Sequence, residues 1–408
     1  MAVNLPAIQA EQLLAVDGIR LATASAGIKV NGQTDLVLIE MAQGSRVAAV
    51  YTQNAFCASP VTIAKQHQQT TAPRYCLINS GNANAGTGQQ GDEAAIRCCE
   101  LLAQQVNGKT ESVLPFSTGV IGQPLPVEKI QAALPDLASG LSADNWFDAA
   151  HGIMTTDTLA KALSKQVTIE GKQVTITGMS KGSGMIRPDM ATMLGYIATD
   201  AKVSQPVLDK MLKQAVEQSF NRITVDGDTS TNDACILIAT AKADNAEITA
   251  FDKASAQTLY QAIAEISRQL AHAIIRDGEG ATKFVEITVE QGQNMVECRQ
   301  VAYTVAHSPL IKTALFASDP NWGRILAAVG RSGLQDFDLS KVTIYLDNVC
   351  IIKGGQPASG YTEAQGQSVM DNSEITIKVV LERGQANDTV WTCDFSYDYV
   401  KINAEYRS

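Results

Sequence analysis

Five short glycine-bearing stretches carry the hydroxyl, amine and carboxylate groups with which this chain could do chemistry. The longest is Lys181–Gly195, KGSGMIRPDMATMLG. Read plainly, it is a surface loop with one ordinary threonine. Read as chemistry, its glycines permit unusual backbone angles, so strain can fall on the Ala191–Thr192 peptide bond. The Thr192 hydroxyl would then attack the Ala191 carbonyl and move the acyl group from nitrogen to oxygen. Hydrolysis of that ester would leave Thr192 as a new N-terminus. A threonine hydroxyl is not ionised near neutrality, but a freed α-amine, with a reference pKa of about 7.7–8.0, is a base on the same residue. No histidine is needed, and His67, His151, His272 and His307 fall in no catalytic pattern.

The other stretches each have a chemical and an ordinary reading. In Phe116–Gly122, FSTGVIG, the Thr118 hydroxyl and the Gly119 backbone N–H can aim at one point, as an oxyanion hole requires; a strand-to-loop turn is the alternative. In Arg276–Lys283, RDGEGATK, Glu279 can meet a substrate ammonium group, or the glycines can simply end a helix. Asn79–Gly86, NSGNANAG, lacks the lysine and spacing of a phosphate loop and reads as a turn. Val225–Asp233, VDGDTSTND, has the look of a metal loop but not the calcium-loop ligand series, so no metal is expected.

Around these stretches, strands are expected at 35–41, 46–52, 74–78, 166–169, 172–177, 193–198, 234–240, 283–291, 341–346, 374–381 and 389–395. Glu170-Gly171 marks a tight hairpin turn. Leu259, Ile263, Ile266, Leu270 and Ile274 form one apolar helical stripe, and Leu208, Met211, Leu212, Ala215 and Ser219 form another, opened by Ser204 and Pro206. Further helices are expected over 92–106 and from Ser308-Pro309 to Phe316. Adjacent strand pairs favour α+β, or a layered αββα sandwich, over a doubly wound sheet.

Composition sets the limits. The 408 residues give a prior of about two to three folding units. Lys+Arg 32 against Asp+Glu 42 gives a net charge of −10, which disfavours nucleic acid or a membrane surface as partner. No run approaches the roughly 18 apolar residues of a membrane span, and the start shows no signal-peptide pattern. The eight cysteines contain no C-x-x-C and read as free thiols in a reducing cytosol.

Taken together, the stretches resemble the ornithine acetyltransferase (glutamate N-acetyltransferase) family of arginine biosynthesis. The processing-site run ending in MATML carries the likeness furthest, with NSGNANA, STGVIG, DGDTSTND, RDGEGATK and Asp319–Arg324, DPNWGR, following the family's order. The resemblance implies an N-terminal-nucleophile-like, self-cleaving α+β fold of αββα type. It implies a precursor cut into an α chain, 1–191, and a β chain, 192–408, that form one interlocked unit. Thr192 would be the nucleophile, Thr118 and Gly119 the oxyanion hole, and Thr155, Lys181, Glu279, Asn403 and Ser408 the substrate contacts. The expected reaction moves acetyl from N2-acetylornithine to glutamate through an acetyl-Thr192 ester, without a cofactor. Acetyl-CoA is expected as a second acetyl donor, two α and two β chains as the assembly, and the cytoplasm as the location. Two other readings stand beside this one: an amidase or aminopeptidase using the same Thr192 with water as acceptor, and a non-catalytic small-molecule binder.

Overall fold

The computed structural model describes residues 2–29, 32–187 and 193–406. Ala191, Thr192 and Ser408 lie outside the described residues. Two sheets form the centre. One runs β1 (Ile19–Ala24), β2 (Leu36–Met41), β4 (Tyr75–Asn82), β5 (Val113–Val120); the other runs β3 (Arg46–Tyr51), β10 (Ala234–Ala239), β8 (Leu194–Thr199), β7 (Lys172–Lys181), β6 (Lys161–Ile169).

Side-chain alternation along the strands builds three stacked cores. On β2, Val37, Ile39 and Met41 meet Tyr196, Ala198 and Ile236 of the second sheet, while Leu36 and Leu38 face the opposite way. There they pack on α2 (Gly88–Gln105) and α3 (Val127–Ser139) through Cys99, Leu102, Leu134 and Leu137. The far face of the second sheet, with Ile176, Ile197 and Leu237, packs on α5 (Gln205–Glu217) and α6 (Ala254–Arg276). This is the αββα sandwich the sequence led us to expect. Strands such as ACILIA of β10 read as unbroken apolar runs because both of their faces are covered. The shorter α1 (Ser59–Thr70) and α4 (Trp146–Gly152) contribute Ala64, Trp146 and Ala149 to the core between the sheets.

A third sheet extends the sandwich. Its order is β14 (Gln356–Pro357), β13 (Val349–Lys353), β12 (Thr343–Leu346), β15 (Glu374–Val380), β11 (Phe284–Gly292), β16 (Ala386–Cys393), β9 (Ile223–Thr224). It has its own core against α7 (Met295–Ala306), α8 (Pro309–Phe316), α9 (Trp322–Gly330) and α10 (Glu363–Met370). The last helix, α11 (Tyr397–Ala404), lies on the surface and buries no residue of its own.

Several expected boundaries shift. β6 begins at Lys161 rather than 166, because its first half, KALS, pairs with Thr177–Ser180 of β7. The helix expected from Asp92 starts at Gly88. Ser219 falls beyond the end of α5, although it is buried. Glu170 and Gly171 have φ of 51° and 79°, as a two-residue hairpin turn demands. All eight cysteines are free, six of them buried. Among the described residues, no helix is long and apolar enough to cross a membrane, and no group of His, Cys, Asp and Glu could hold a metal ion.

Leu237, fully buried between the second sheet and its helices, tests this layering. Leu237→Ala should lower stability by about 2–5 kcal/mol in urea unfolding. An unchanged midpoint would mean that this face is not a packed core.

Candidate active site

A cavity of about 270 Å³ opens where the ends of β5 and β7 meet the loop after α6. Its lining includes Thr118, Gly119, Thr155, Lys181, Glu279 and Asn403, six of the residues named from the sequence. Thr156, Ser230, Thr231, Asn232 and Tyr406 also line it, and these the sequence reading missed. The signal was present for three of them: DGDTSTND was singled out, but weighed as a metal loop rather than as a cavity wall.

Thr118 and Gly119 end β5, where parallel pairing sets them opposite Ser80 and Gly81 of β4. Gly119 has φ 131°, and a Cβ there would lie 2.3 Å from the Gly81 carbonyl carbon, so no other residue fits without moving backbone. Lys181 Nζ donates to Thr118 Oγ1 at 3.2 Å. An oxygen that accepts from an ammonium keeps its own proton for another acceptor, so the Thr118 hydroxyl is set to donate. Lys181 itself ends β7 directly across from Leu194 of β8, two residues after Thr192 in the chain.

Glu279 reaches the cavity from the other side. It is 6% exposed and accepts from Asn403 Nδ2 at 2.7 Å. Gly184 lets the loop pass this carboxylate, since a Cβ there would lie 2.4 Å from its carbon. Among the described residues, neither Glu279 nor Lys181 is in an ion pair. Charges drawn away from water are normally paired. The cavity therefore presents one anion and one cation that a zwitterionic guest can complete.

A buried ion triad fixes this geometry. Lys161 Nζ lies 2.7 Å from Asp157 Oδ1 and 2.6 Å from Asp277 Oδ2, and all three side chains are at most 1% exposed. Asp157 also accepts from the backbone N–H of Thr155 and Gly182 at 3.0 and 2.8 Å. Asp277 accepts from Thr158 and Leu159 and stands two residues before Glu279. Burial alone would push the Asp157 carboxyl up, but Lys161, Lys181 and the hydrogen bonds from Lys161 and Gly182 hold it far below the usual range. Burial would lower the Lys161 ammonium, but the two aspartates outweigh it and raise it. Beyond Glu279, Asp394 accepts from Thr282 N–H and Lys283 N–H, both at 2.8 Å, and so clamps the far end of the RDGEGATK loop.

The 224–234 segment holds the loop that leads to Thr192. Asp226 accepts from Met185 N–H at 2.7 Å and Ile186 N–H at 2.9 Å. The Ile186 carbonyl accepts from Val225 N–H at 2.8 Å, and the Met193 carbonyl accepts from Ala234 N–H at 2.9 Å. Met185 sits at φ 53°, a strained conformation for a residue with a side chain. Asn232 Nδ2 then ties this segment to the Ala83 and Ser117 carbonyls, at 2.6 and 3.0 Å. Thr118, Ile186 and Met193 are thereby referenced to one frame. No histidine or cysteine is among the cavity-lining residues.

Known proteins are similar to this chain over most of its length. The ArgJ family model matches residues 20–408. The chain is 58% identical over 408 residues to the arginine biosynthesis bifunctional protein ArgJ of Pseudomonas syringae pv. tomato, covering all of both chains. It is 54% identical to the protein of that name from Psychrobacter arcticus, over 98% of each. The crystal structure of argJ from Bacillus halodurans is 36% identical, with a TM-score of 0.48 over 51% of this chain and 96% of that one.

Asp157→Asn tests the triad. Losing one of the two anions that hold Lys161, while Asp277 remains, should cost about 1–3 kcal/mol of stability. Because Asp157 is depressed in the fold, its contribution is complete above its unfolded pKa of about 3.9 and is lost as pH falls toward the folded value. Because Lys161 is raised, its contribution is complete below about pH 10.4 and is lost as pH rises further. Unfolding measured from pH 7 down to pH 3 should show an acid limb in the parent that is shallower in the variant. Equal limbs would mean that the pair does not form.

Proposed function

This chain belongs to the ArgJ family, and from that premise we propose that it moves the acetyl group of N2-acetylornithine to glutamate through an ester on Thr192. The observation that supports this most is the convergence of Thr118, Gly119, Thr155, Lys181, Glu279 and Asn403 on one cavity, where Lys181 and Glu279 have no ion-pair partner among the described residues. Ornithine and glutamate each carry an α-carboxylate and an ammonium group. Lys181 would pair with the carboxylate and Glu279, steadied by Asn403, with the ammonium; Ser408 would add a further contact.

The chemistry begins with cleavage before Thr192, giving chains 1–191 and 192–408 of one interlocked unit. The freed Thr192 amine takes the hydroxyl proton as Oγ attacks the acetyl carbonyl. The Thr118 hydroxyl and the Gly119 N–H stabilise the oxyanion. Ornithine leaves, the acetyl group stays as an ester on Thr192, and the amine of glutamate attacks it in the same cavity. One site used twice means ping-pong kinetics. Each step uses side chains, the Gly119 backbone N–H and the freed amine. Acetyl-CoA acts as a second donor to the same hydroxyl, and the assembly is two α and two β chains in the cytoplasm.

Two measurements test this. On a denaturing gel the purified protein should give two bands, the larger, 192–408, beginning at Thr192 by N-terminal sequencing. Thr192→Ala should stay one band and exchange no acetyl group into labelled ornithine. A single full-length band from protein that still turns over would refute the proposal, and release chiefly of free acetate with glutamate present would point to an amidase. Thr118→Val should lower kcat by about 10²–10³-fold with KM little changed, as loss of one oxyanion donor does. A change confined to KM would make Thr118 a binding residue only.

A further inference from the structure

The apolar side of the cavity continues outward to an aromatic ring that none of the roles above uses. Phe56, in the loop between β3 and α1, is 54% exposed, whereas phenylalanine is among the residues most often buried. The loop that carries it is fixed. Phe56 N–H donates to Asn54 Oδ1 at 2.9 Å, and Asn54 Nδ2 donates to the Thr229 carbonyl at 2.8 Å. Thr52 Oγ1 donates to the Ser230 carbonyl at 2.8 Å, and Ala58 N–H donates to the Thr231 carbonyl at 3.0 Å. Ser230 and Thr231 line the cavity, so Phe56 is held in a set position beside it.

The stretch NSGNANAG gives the ring its seat. Pairing continues past the ends of β4 and β5: Ala83 N–H donates to the Val120 carbonyl at 3.0 Å, and Gly122 N–H donates to the Ala85 carbonyl at 2.9 Å. Gly86 is thereby brought next to Ile121. It has φ 71°, and a Cβ there would lie 3.0 Å from Phe56 Cζ and 3.8 Å from Ile121 Cγ2. The ring rests on the bare Gly86 backbone, and Ala83 and Ile121 carry the apolar surface from it into the cavity lining. Apolar surface left open at the edge of a polar cavity marks a place where a ligand lies.

The size of the second acetyl donor identifies that ligand. N2-acetylornithine is small enough for a cavity of about 270 Å³, but the CoA part of acetyl-CoA is several times larger and must lie outside. With the acetyl carbonyl at Thr118 and Gly119, two ways out of the cavity differ in character. One is bounded by Lys181, Glu279 and Asn403 and suits an amino acid. The other runs over Ala83 and Ile121 to Phe56 and suits the methylenes and dimethyl carbon of pantetheine.

We propose that Phe56, with Ile121, forms a rim on which the pantetheine arm of acetyl-CoA docks. This rests on the reading of acetyl-CoA as a second donor. Thr192 Oγ bonds to the acetyl carbon and the bond from that carbon to sulfur breaks. The hydroxyl proton, taken by the freed amine, passes to sulfur, and CoA leaves as the thiol along the rim. The two donors share the hydroxyl and the oxyanion hole; only the thioester uses Phe56.

The experiment compares the parent with Phe56→Ala and Phe56→Tyr, with glutamate as acceptor and acetyl-CoA, acetyl-pantetheine or N2-acetylornithine as donor. Titration calorimetry with CoA measures binding without turnover. In Phe56→Ala the KM for both thioesters and the Kd for CoA should rise about tenfold, the scale of a lost aromatic anchor. Phe56→Tyr should stay near the parent. kcat/KM for N2-acetylornithine should be the same in all three proteins, which also shows that they fold. Unchanged thioester KM in Phe56→Ala, or an equal loss with N2-acetylornithine, would overturn the proposal. So would a changed assembly mass on size exclusion, because Phe56 would then be a contact between copies of the chain. A parent that takes no acetyl group from acetyl-CoA would instead bring down the second-donor reading.

Discussion

The arrangement of the cavity depends on one buried ammonium. Lys161 sits buried at the start of β6 with two aspartates to hold it, one four residues earlier and one 116 residues later. Bare burial would make such a charge costly, and it is tolerable only because both anions are within hydrogen-bond distance. The consequence is geometric. Asp157 carries the Thr155 backbone and the start of the 182–187 loop, while Asp277 carries the turn from which Glu279 projects. Fixing Lys161 fixes opposite walls of the cavity relative to each other.

The neighbouring charges behave in the opposite way. Lys161 is fully neutralised inside the fold, whereas Lys181 and Glu279 are left without ionic partners among the described residues. A satisfied triad gives rigidity, and an unsatisfied pair gives affinity for a ligand with complementary charge. The −10 net charge of the chain says nothing of this, because the relevant field is local. The chain's acidity disfavours partners with extended negative charge and is compatible with a small zwitterion.

Much of this was legible beforehand, and the rest was hidden for a definable reason. Helices such as α6 and strands such as β10 carry their own periodicity, and the glycine-bearing stretches announced Thr118, Gly119, Lys181 and Glu279. What sequence could not supply was pairing between distant segments. Asp157 and Lys161 stand in unremarkable surroundings and acquire meaning only beside Asp277. Asp226 and Asn232 looked like ligands of a metal, yet Asp226 accepts from Met185 and Ile186, and Asn232 donates to Ala83 and Ser117. Tyr406 reaches the cavity only because α11 folds back over the Gly280 turn, where a Cβ would strike Ser396 and the Tyr399 nitrogen. The third sheet was visible as separate strands, but no local pattern says which strands share a sheet. That information is tertiary.

The central claim is that one hydroxyl carries the acetyl group between two amino acids that use the same cavity. Its most direct test is to mix the protein with N2-acetylornithine alone, quench in acid and locate the acetyl group by peptide mass spectrometry. The account predicts one acetyl group on the peptide that begins at Thr192, removed when glutamate is added before the quench. Acetyl found on Lys181, or on no residue while ornithine is still released, would contradict it.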